Sequence, residues 1–91
     1  MSANAADAAD VLKALSNETR IMLMCQLMDG EKSVNTLADA VKMRLPAVSQ
    51  HLSRMRSSGL VTSRRAAQTV YYSAKGEIGK AIVGTLCQYF K

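Results

Sequence analysis

Apolar residues recur at helical spacing in four successive segments of the first 57 residues, which predicts four helices. Asn4, Asn17 and Ser33 precede three of these segments and are good N-caps. Pro46 stands near the start of the fourth, where a missing N–H is tolerated. The four apolar stripes are Ala8, Val11, Leu12 and Leu15; Ile21, Met24, Cys25 and Met28; Val34, Leu37, Ala38 and Val41; and Val48, Leu52 and Met55.

After Gly59 the apolar residues no longer recur at helical spacing. Residues 60–65 and 69–74 are rich in Val, Thr and Tyr and predict two short strands around a tight connection at residues 66–68. Residues 77–91 return to helical spacing. Helices three and four are short and separated by only residues 42–44. We therefore predict a mainly α chain with a small β-hairpin wing, a winged helix-turn-helix, forming one domain over residues 1–91.

The charges are distributed unevenly between the two halves of the chain. Residues 1–41 hold three basic and six acidic side chains, whereas residues 42–91 hold nine basic side chains and one acidic one. Between Lys42 and Gly76 there is no Asp or Glu. A folded segment with one sign of charge is typical of a surface that binds a polyanion such as double-stranded DNA. The alternative is an ordinary solvated basic face.

The polar face of the fourth helix matches the chemistry of base edges. Gln, Ser and Arg side chains donate to and accept from bases in the major groove, and no carboxylate lies on this face to repel phosphates. Residues near the start of such a helix usually reach bases, and later ones reach phosphates. The base-edge candidates are Ala47, Ser49, Gln50 and Ser53. Arg54 and Arg56 are better placed for the backbone.

The predicted hairpin carries Arg64, Arg65 and Gln68 near its tip. Arginines at a hairpin tip suit the minor groove or its flanking phosphates, although charge on an edge strand also prevents aggregation. His51 is the only histidine, and we expect it to hydrogen-bond locally. A single histidine makes no catalytic dyad, so we do not expect an enzyme.

Other classes of protein are not favoured by the composition. No apolar run approaches the roughly 18 residues of a membrane span, and the acidic, alanine-rich start is unlike a signal peptide, so we expect a cytoplasmic protein. The two cysteines, Cys25 and Cys87, are far apart and form no zinc-binding spacing with His51. We expect neither a metal nor a cofactor.

Three stretches of the chain resemble the ArsR/SmtB family of bacterial winged-helix repressors. They are "LKALSNETRIMLMCQL", "LADAV" and "AVSQHLSRMRSSGLVTSRRAAQTVYYSA", and the resemblance covers about Val11 to Phe90. It implies a homodimer that pairs through its first and last helices, binds an inverted repeat in a promoter and leaves it when an inducer arrives. The chain departs from the family pattern at Arg44, Leu45 and Pro46, where Ser and polar residues are common.

The resemblance is closest to members that respond to thiol oxidation or persulfides. The third helix lacks the Cys-x-Cys motif of metal sensors, and the last helix lacks their Asp/His/Glu ligands. Cys25 matches the sensing cysteine of the thiol-responsive members, whereas their second cysteine falls at Lys91, one helical turn beyond Cys87. The resemblance thus implies a thiol sensor formed by Cys25 and Cys87. The alternative is that both are small buried hydrophobes and the repressor is constitutive.

The first and last helices carry more apolar surface than a 91-residue monomer can cover, which predicts a dimer interface. Its expected residues are Leu12, Ile82, Leu86 and Tyr89. A function from another class remains open at this point: a winged helix used only for protein assembly, without specific DNA binding.

Overall fold

The computed structural model describes residues 2–90, and their side chains from residue 5 onward. Five helices and three strands follow one another along the chain. They are α1 (Ser2–Leu15), α2 (Glu18–Leu27), β1 (Lys32–Ser33), α3 (Val34–Val41), α4 (Leu45–Ser57), β2 (Val61–Ala66), β3 (Thr69–Ala74) and α5 (Ile78–Tyr89). The predicted order of four helices, a hairpin and a helix is confirmed, and the architecture is a winged helix-turn-helix.

Local hydrogen bonds explain where the helices begin. The Asn17 side chain accepts from the Arg20 N–H and Ser33 Oγ accepts from the Thr36 N–H, each at 3.1 Å, as predicted for N-caps. Pro46 lies in the first turn of α4. The prediction for Asn4 was wrong, since α1 already begins at Ser2 and includes it. The alanine-rich start has a high helix propensity, which extends the helix past the expected cap.

The sheet contains one strand that was not predicted. β1 pairs antiparallel with β3, with Lys32 opposite Tyr72 and Ser33 opposite Tyr71, so that β3 is the central strand. A two-residue strand carries no readable alternation of apolar and polar positions, and it exists only because β3 offers it a partner. β2 and β3 are joined by a two-residue turn in which Ala67 has a positive φ of 55°.

The core fills the space between the helices and the inner face of the sheet. Its largest completely buried side chains come from α2, α3, α4, β2 and α5. They are Leu23, Met24, Leu37, Val48, Leu52, Met55, Val61 and Val83. α5 packs closely on the core beside Gly79. A Cβ at this position would lie 3.1 Å from Leu60 Cδ2 and 3.4 Å from Met24 Cε on α2. Glycine at that position therefore lets α5 approach the core.

Candidate nucleic-acid interface

The turn between α3 and α4 sets how α4 is presented. Lys42 adopts the left-handed conformation (φ 57°, ψ 47°), and its N–H bonds back to the carbonyls of Ala38 and Asp39. The Met43 N–H also donates to Ala38 O, at 3.1 Å. These bonds satisfy carbonyls at the end of α3 and turn the chain sharply, so that α4 leaves at a defined angle. The two helices with this turn form the predicted helix-turn-helix.

The two faces of α4 differ as its sequence predicted. Val48, Leu52 and Met55 are completely buried and fix the helix to the rest of the protein. On the outer side, a shallow surface groove is lined by four polar residues. They are Ser49, Gln50, Ser53 and Arg54. Gln50, Ser53 and Arg54 are exposed, whereas Ser49 and Ala47 are half-buried. The structure thus gathers the polar candidates of the recognition helix on one continuous surface.

A hydrogen bond connects the recognition helix to the wing. Arg56 Nη1 donates to Ser63 Oγ on β2, at 3.1 Å. Successive side chains of a strand point to opposite faces, so Ser63 and Arg65 share the sheet face of the buried Val61, whereas Arg64 lies on the opposite face. Arg56 therefore holds the wing's inner face toward α4, and of the two neighbouring arginines it is Arg65 that shares this face.

Arg64 is held by an acidic residue that precedes β1. Its Nε and Nη2 donate to the two carboxylate oxygens of Glu31, both at 2.7 Å, and its guanidinium carbon lies 4.7 Å from the ring centroid of Tyr71. Hydrogen bonding to Arg64 lowers the pKa of Glu31, and the same contact raises the pKa of Arg64. Both groups are therefore charged at neutral pH. Sequence analysis missed Glu31, because the partners are 33 positions apart and nothing in the local pattern links them.

Gln68 and His51 lie on the wing and on α4, respectively. Gln68 is exposed in the hairpin turn. His51 is half-buried on α4, and its Nδ1 is buried without a hydrogen-bond partner, which differs from the local bond that we expected there.

The two cysteines meet although they are 62 positions apart in the chain. Cys25 on α2 and Cys87 on α5 are both free and half-buried beside the core. Burial, followed by hydrogen bonding to Cys87 and the charge of that neighbour, raises the pKa of Cys25 to about 12. The Cys25 thiol is therefore protonated at neutral pH. Packing of α5 on α2 brings the pair together, although the second cysteine of the thiol-responsive members falls four positions after Cys87, at Lys91, which is outside the described residues.

The residues expected at a dimer interface lie on two outer surfaces. Leu12 on α1 is 56% exposed and Tyr89 on α5 is 79% exposed, while Ile82 and Leu86 are half-buried along α5. Ile78 and Phe90, at 52% and 82% exposure, extend the α5 surface. These helices therefore leave large apolar side chains in solvent.

Neither a metal-binding cluster nor a membrane-spanning helix occurs in the described part of the chain. Residues 2–90 contain no group of three or more His, Cys, Asp or Glu side chains placed to hold a metal ion. Over the same range no helix combines the length and the apolar character needed to cross a membrane.

Comparison with known proteins identifies the family. Residues 17–63 match the family described as "Bacterial regulatory protein, arsR family". Over 86 residues the chain is 41% identical to HlyU of Vibrio cholerae, named a transcriptional activator, covering 94% of this chain and 80% of HlyU. It is 34% identical over 90 residues to the biofilm growth-associated repressor of Xylella fastidiosa, covering 99% of this chain and 79% of that protein.

Solved structures show the same architecture. HlyU from Vibrio cholerae superposes with a TM-score of 0.94 at 39% identity, covering 99% of this chain and 98% of that one. The homodimeric winged helix-turn-helix DNA-binding domain of Mb0332 from Mycobacterium bovis superposes with a TM-score of 0.84 at 32% identity, covering 97% of this chain and 82% of that one. With the acid-free outer face of α4 and the adjoining wing, these similarities lead to one conclusion. The chain belongs to the ArsR family of bacterial regulatory proteins and is a DNA-binding transcriptional regulator.

Proposed function

We propose that the protein is a homodimeric repressor that binds an inverted-repeat operator, with one α4 in each of two successive major grooves. Ala47, Ser49, Gln50 and Ser53 contact base edges, and Arg54 and Arg56 contact phosphates. At the wing, Arg65 and Gln68 contact the backbone or the minor groove. Successive grooves on one side of B-DNA are about 34–36 Å apart, so the dimer must hold its two α4 helices at that spacing.

The observation that carries this proposal is the contrast between the two faces of α4. Its inner residues Val48, Leu52 and Met55 are completely buried, so the helix is attached rigidly to the core. Its outer face forms a groove of donors and acceptors, and the segment from Lys42 to Gly76 contains no carboxylate. A rigid helix with this outer face is complementary to base edges and to the negative backbone beside them.

The dimer is supported by the exposed apolar surface of α1 and α5. Leu12 and Tyr89 are more than half exposed, and burying such side chains against a second copy is favourable because apolar area leaves water. We propose that Leu12, Ile82, Leu86 and Tyr89 form this interface. A symmetric pair would contact through the same surface on both copies and would make the two α4 helices equivalent, as an inverted repeat requires.

Repression is favoured over activation because the relative from Xylella fastidiosa is named a repressor. HlyU, named an activator, shares the same fold.

The contact between Cys25 and Cys87 supports a thiol switch as the release mechanism. An oxidant such as diamide takes two electrons and two protons from the pair, and an S–S bond forms between α2 and α5 as two S–H bonds break. With Cys25 held protonated, Cys87 is the sulfur that we propose attacks the oxidant first. The new bond would restrain α5 against α2 and alter the dimer angle. The alternative is a constitutive repressor in which both thiols only pack.

Titration of DNA binding with salt tests the central proposal. The full-length chain is mixed with a labelled duplex pool at several salt concentrations, and the dissociation constant is measured by fluorescence anisotropy. We expect the affinity to fall steeply with salt, because each neutralised phosphate releases about one counterion. Folded protein that binds no duplex at low salt would instead support a protein-assembly module. Binding of equal strength to all sequences would contradict the operator-specific part of the proposal.

A further inference from the structure

Two apolar side chains stand in solvent at the start of the recognition helix. Leu45 is 42% exposed and Pro46 is also exposed. Arg44, at the N-cap position, makes no side-chain capping bond, and the first turn contains no acidic residue. The first turn of a surface helix ordinarily favours Ser, Thr, Asp or Glu, which bond to the free N–H groups or interact with the helix dipole. The start of α4 therefore presents hydrocarbon where polar groups are usual.

These side chains lie on the same side of α4 as its polar groove. Residues four or seven apart lie on the same face of a helix. Pro46 therefore lies in line with Gln50 and Ser53, and Leu45 lies one turn before Ser49. Leu45 and Pro46 thus stand one turn nearer the start of the helix than the groove lined by Ser49, Gln50, Ser53 and Arg54. A base pair next to the one that Gln50 contacts would therefore face Leu45 and Pro46.

Only one base presents an apolar group in the major groove, and that is thymine with its C5-methyl. Pro46 has no N–H, and neither side chain has a donor or acceptor for a base edge. We propose that Leu45 and Pro46 recognise a thymine methyl group in each half-site, next to the base pair that Gln50 contacts. The proposal rests on the proposed DNA-binding function and adds a specificity determinant to the same surface.

Removal of a single methyl group tests this directly. Duplexes bound by the full-length chain are first selected from a random-sequence pool, and each thymine of the selected half-site is then replaced by uracil, which differs only by that methyl. We expect replacement of one particular thymine, or of either of two adjacent ones, to weaken binding of the duplex about fourfold, as for the loss of one buried methyl group. Symmetric replacement in both half-sites should cost about fifteenfold. Uracil outside the half-sites should have no effect.

Two variants connect the methyl group to the side chains. The double variant Leu45→Ala, Pro46→Ala should bind the thymine and uracil duplexes equally. The matched control is Met22→Ala, since Met22 is 40% exposed on α2, outside the recognition helix, and its variant should keep the difference. Circular dichroism checks that each variant is folded.

Several results would overturn the inference without touching the wider function. One is specific binding by the parent protein that ignores every uracil replacement. Another is a double variant that stays sensitive to uracil, which would move the contact to Ala47. A third is a double variant that binds every duplex as tightly as the parent, as expected if these side chains face another protein. Failure of the proposed function looks different, because then no duplex is selected at all.

Discussion

Glu31 and Arg64 form a bidentate ion pair, with both N–O distances 2.7 Å. The pair lies on the face of the wing opposite to the face that carries Val61. Tyr71 lies under the same guanidinium. One of the two neighbouring arginines of the wing therefore already has a carboxylate partner within the chain. The other, Arg65, is exposed and lies on the face that Ser63 and Arg56 connect to the recognition helix.

Arg65→Ala should weaken binding to all duplexes alike, because a phosphate contact carries no sequence information. The slope of log affinity against log salt should fall by about one per protomer. Arg64→Ala is the matched control and should change both quantities less, since Arg64 is paired with Glu31. Anisotropy titrations at several salt concentrations measure both. Equal losses for the two variants would show that the ion pair opens on DNA.

Glu31→Gln should strengthen DNA binding and steepen its salt dependence, because it removes a negative charge and releases Arg64 toward phosphates. Arg64 lowers the pKa of Glu31, so the pair is complete above the ordinary glutamate pKa and is lost only as pH falls through the lowered value. Both side chains are solvated, so we expect little change in melting temperature. Unchanged affinity and salt slope in this variant would mean that Glu31 does not restrain Arg64.

Gln50→Ala should cost about 1–3 kcal/mol on the selected operator and little on random DNA, as expected for loss of a base contact. Gln50 is exposed in the outer groove of α4, so the substitution should leave the fold intact. The measurement compares dissociation constants on the two duplexes at one salt concentration. A loss of the same size on both would place Gln50 on the backbone rather than on a base.

Leu12→Glu should shift the protein from dimer to monomer at micromolar concentration, because it puts a charge into the proposed apolar interface. Sedimentation velocity measures the change, and operator affinity should fall with it. Leu12 is 56% exposed in the single chain, so folding should survive. Met22→Glu, a substitution at another exposed apolar position, should remain dimeric. A parent protein that sediments as a monomer would remove the basis of the proposed interface.

Cys25 should be alkylated slowly, whereas an oxidant should readily form a disulfide between Cys25 and Cys87. The raised pKa of Cys25 lowers its thiolate fraction at neutral pH below that of an ordinary thiol. Mass spectrometry after iodoacetamide should find Cys25 the slower of the two. Treatment with diamide should lower the mass of each parent chain by two units and weaken its binding to the operator. The Cys25→Ser variant treated in the same way should show neither change. If the disulfide-bonded protein still bound DNA fully, the thiol switch would be contradicted and the protein would be a constitutive repressor.

Local patterns in the sequence predicted the helices and the hairpin. The starts of α2, α3 and α4 follow from chemistry that short stretches of chain contain, namely the N-caps Asn17 and Ser33 and a proline in the first turn of α4. The start of α1 was not predicted in this way. The buried face of α4 was predictable for the same reason, since 3.6 residues per turn place Val48, Leu52 and Met55 together wherever the helix packs. The family resemblance was readable because it rests on these same stretches.

The packing of the elements in three dimensions sets which distant residues meet. β1 exists because β3 passes beside it, and Glu31 reaches Arg64 because β1 and β2 flank the same central strand. Cys25 and Cys87 are neighbours because α5 packs against α2. The face on which each wing arginine lies depends on the register of β2 with β3, which a one-residue slip would reverse. Such contacts depend on how the elements pack, and no local pattern of apolar and polar residues records that.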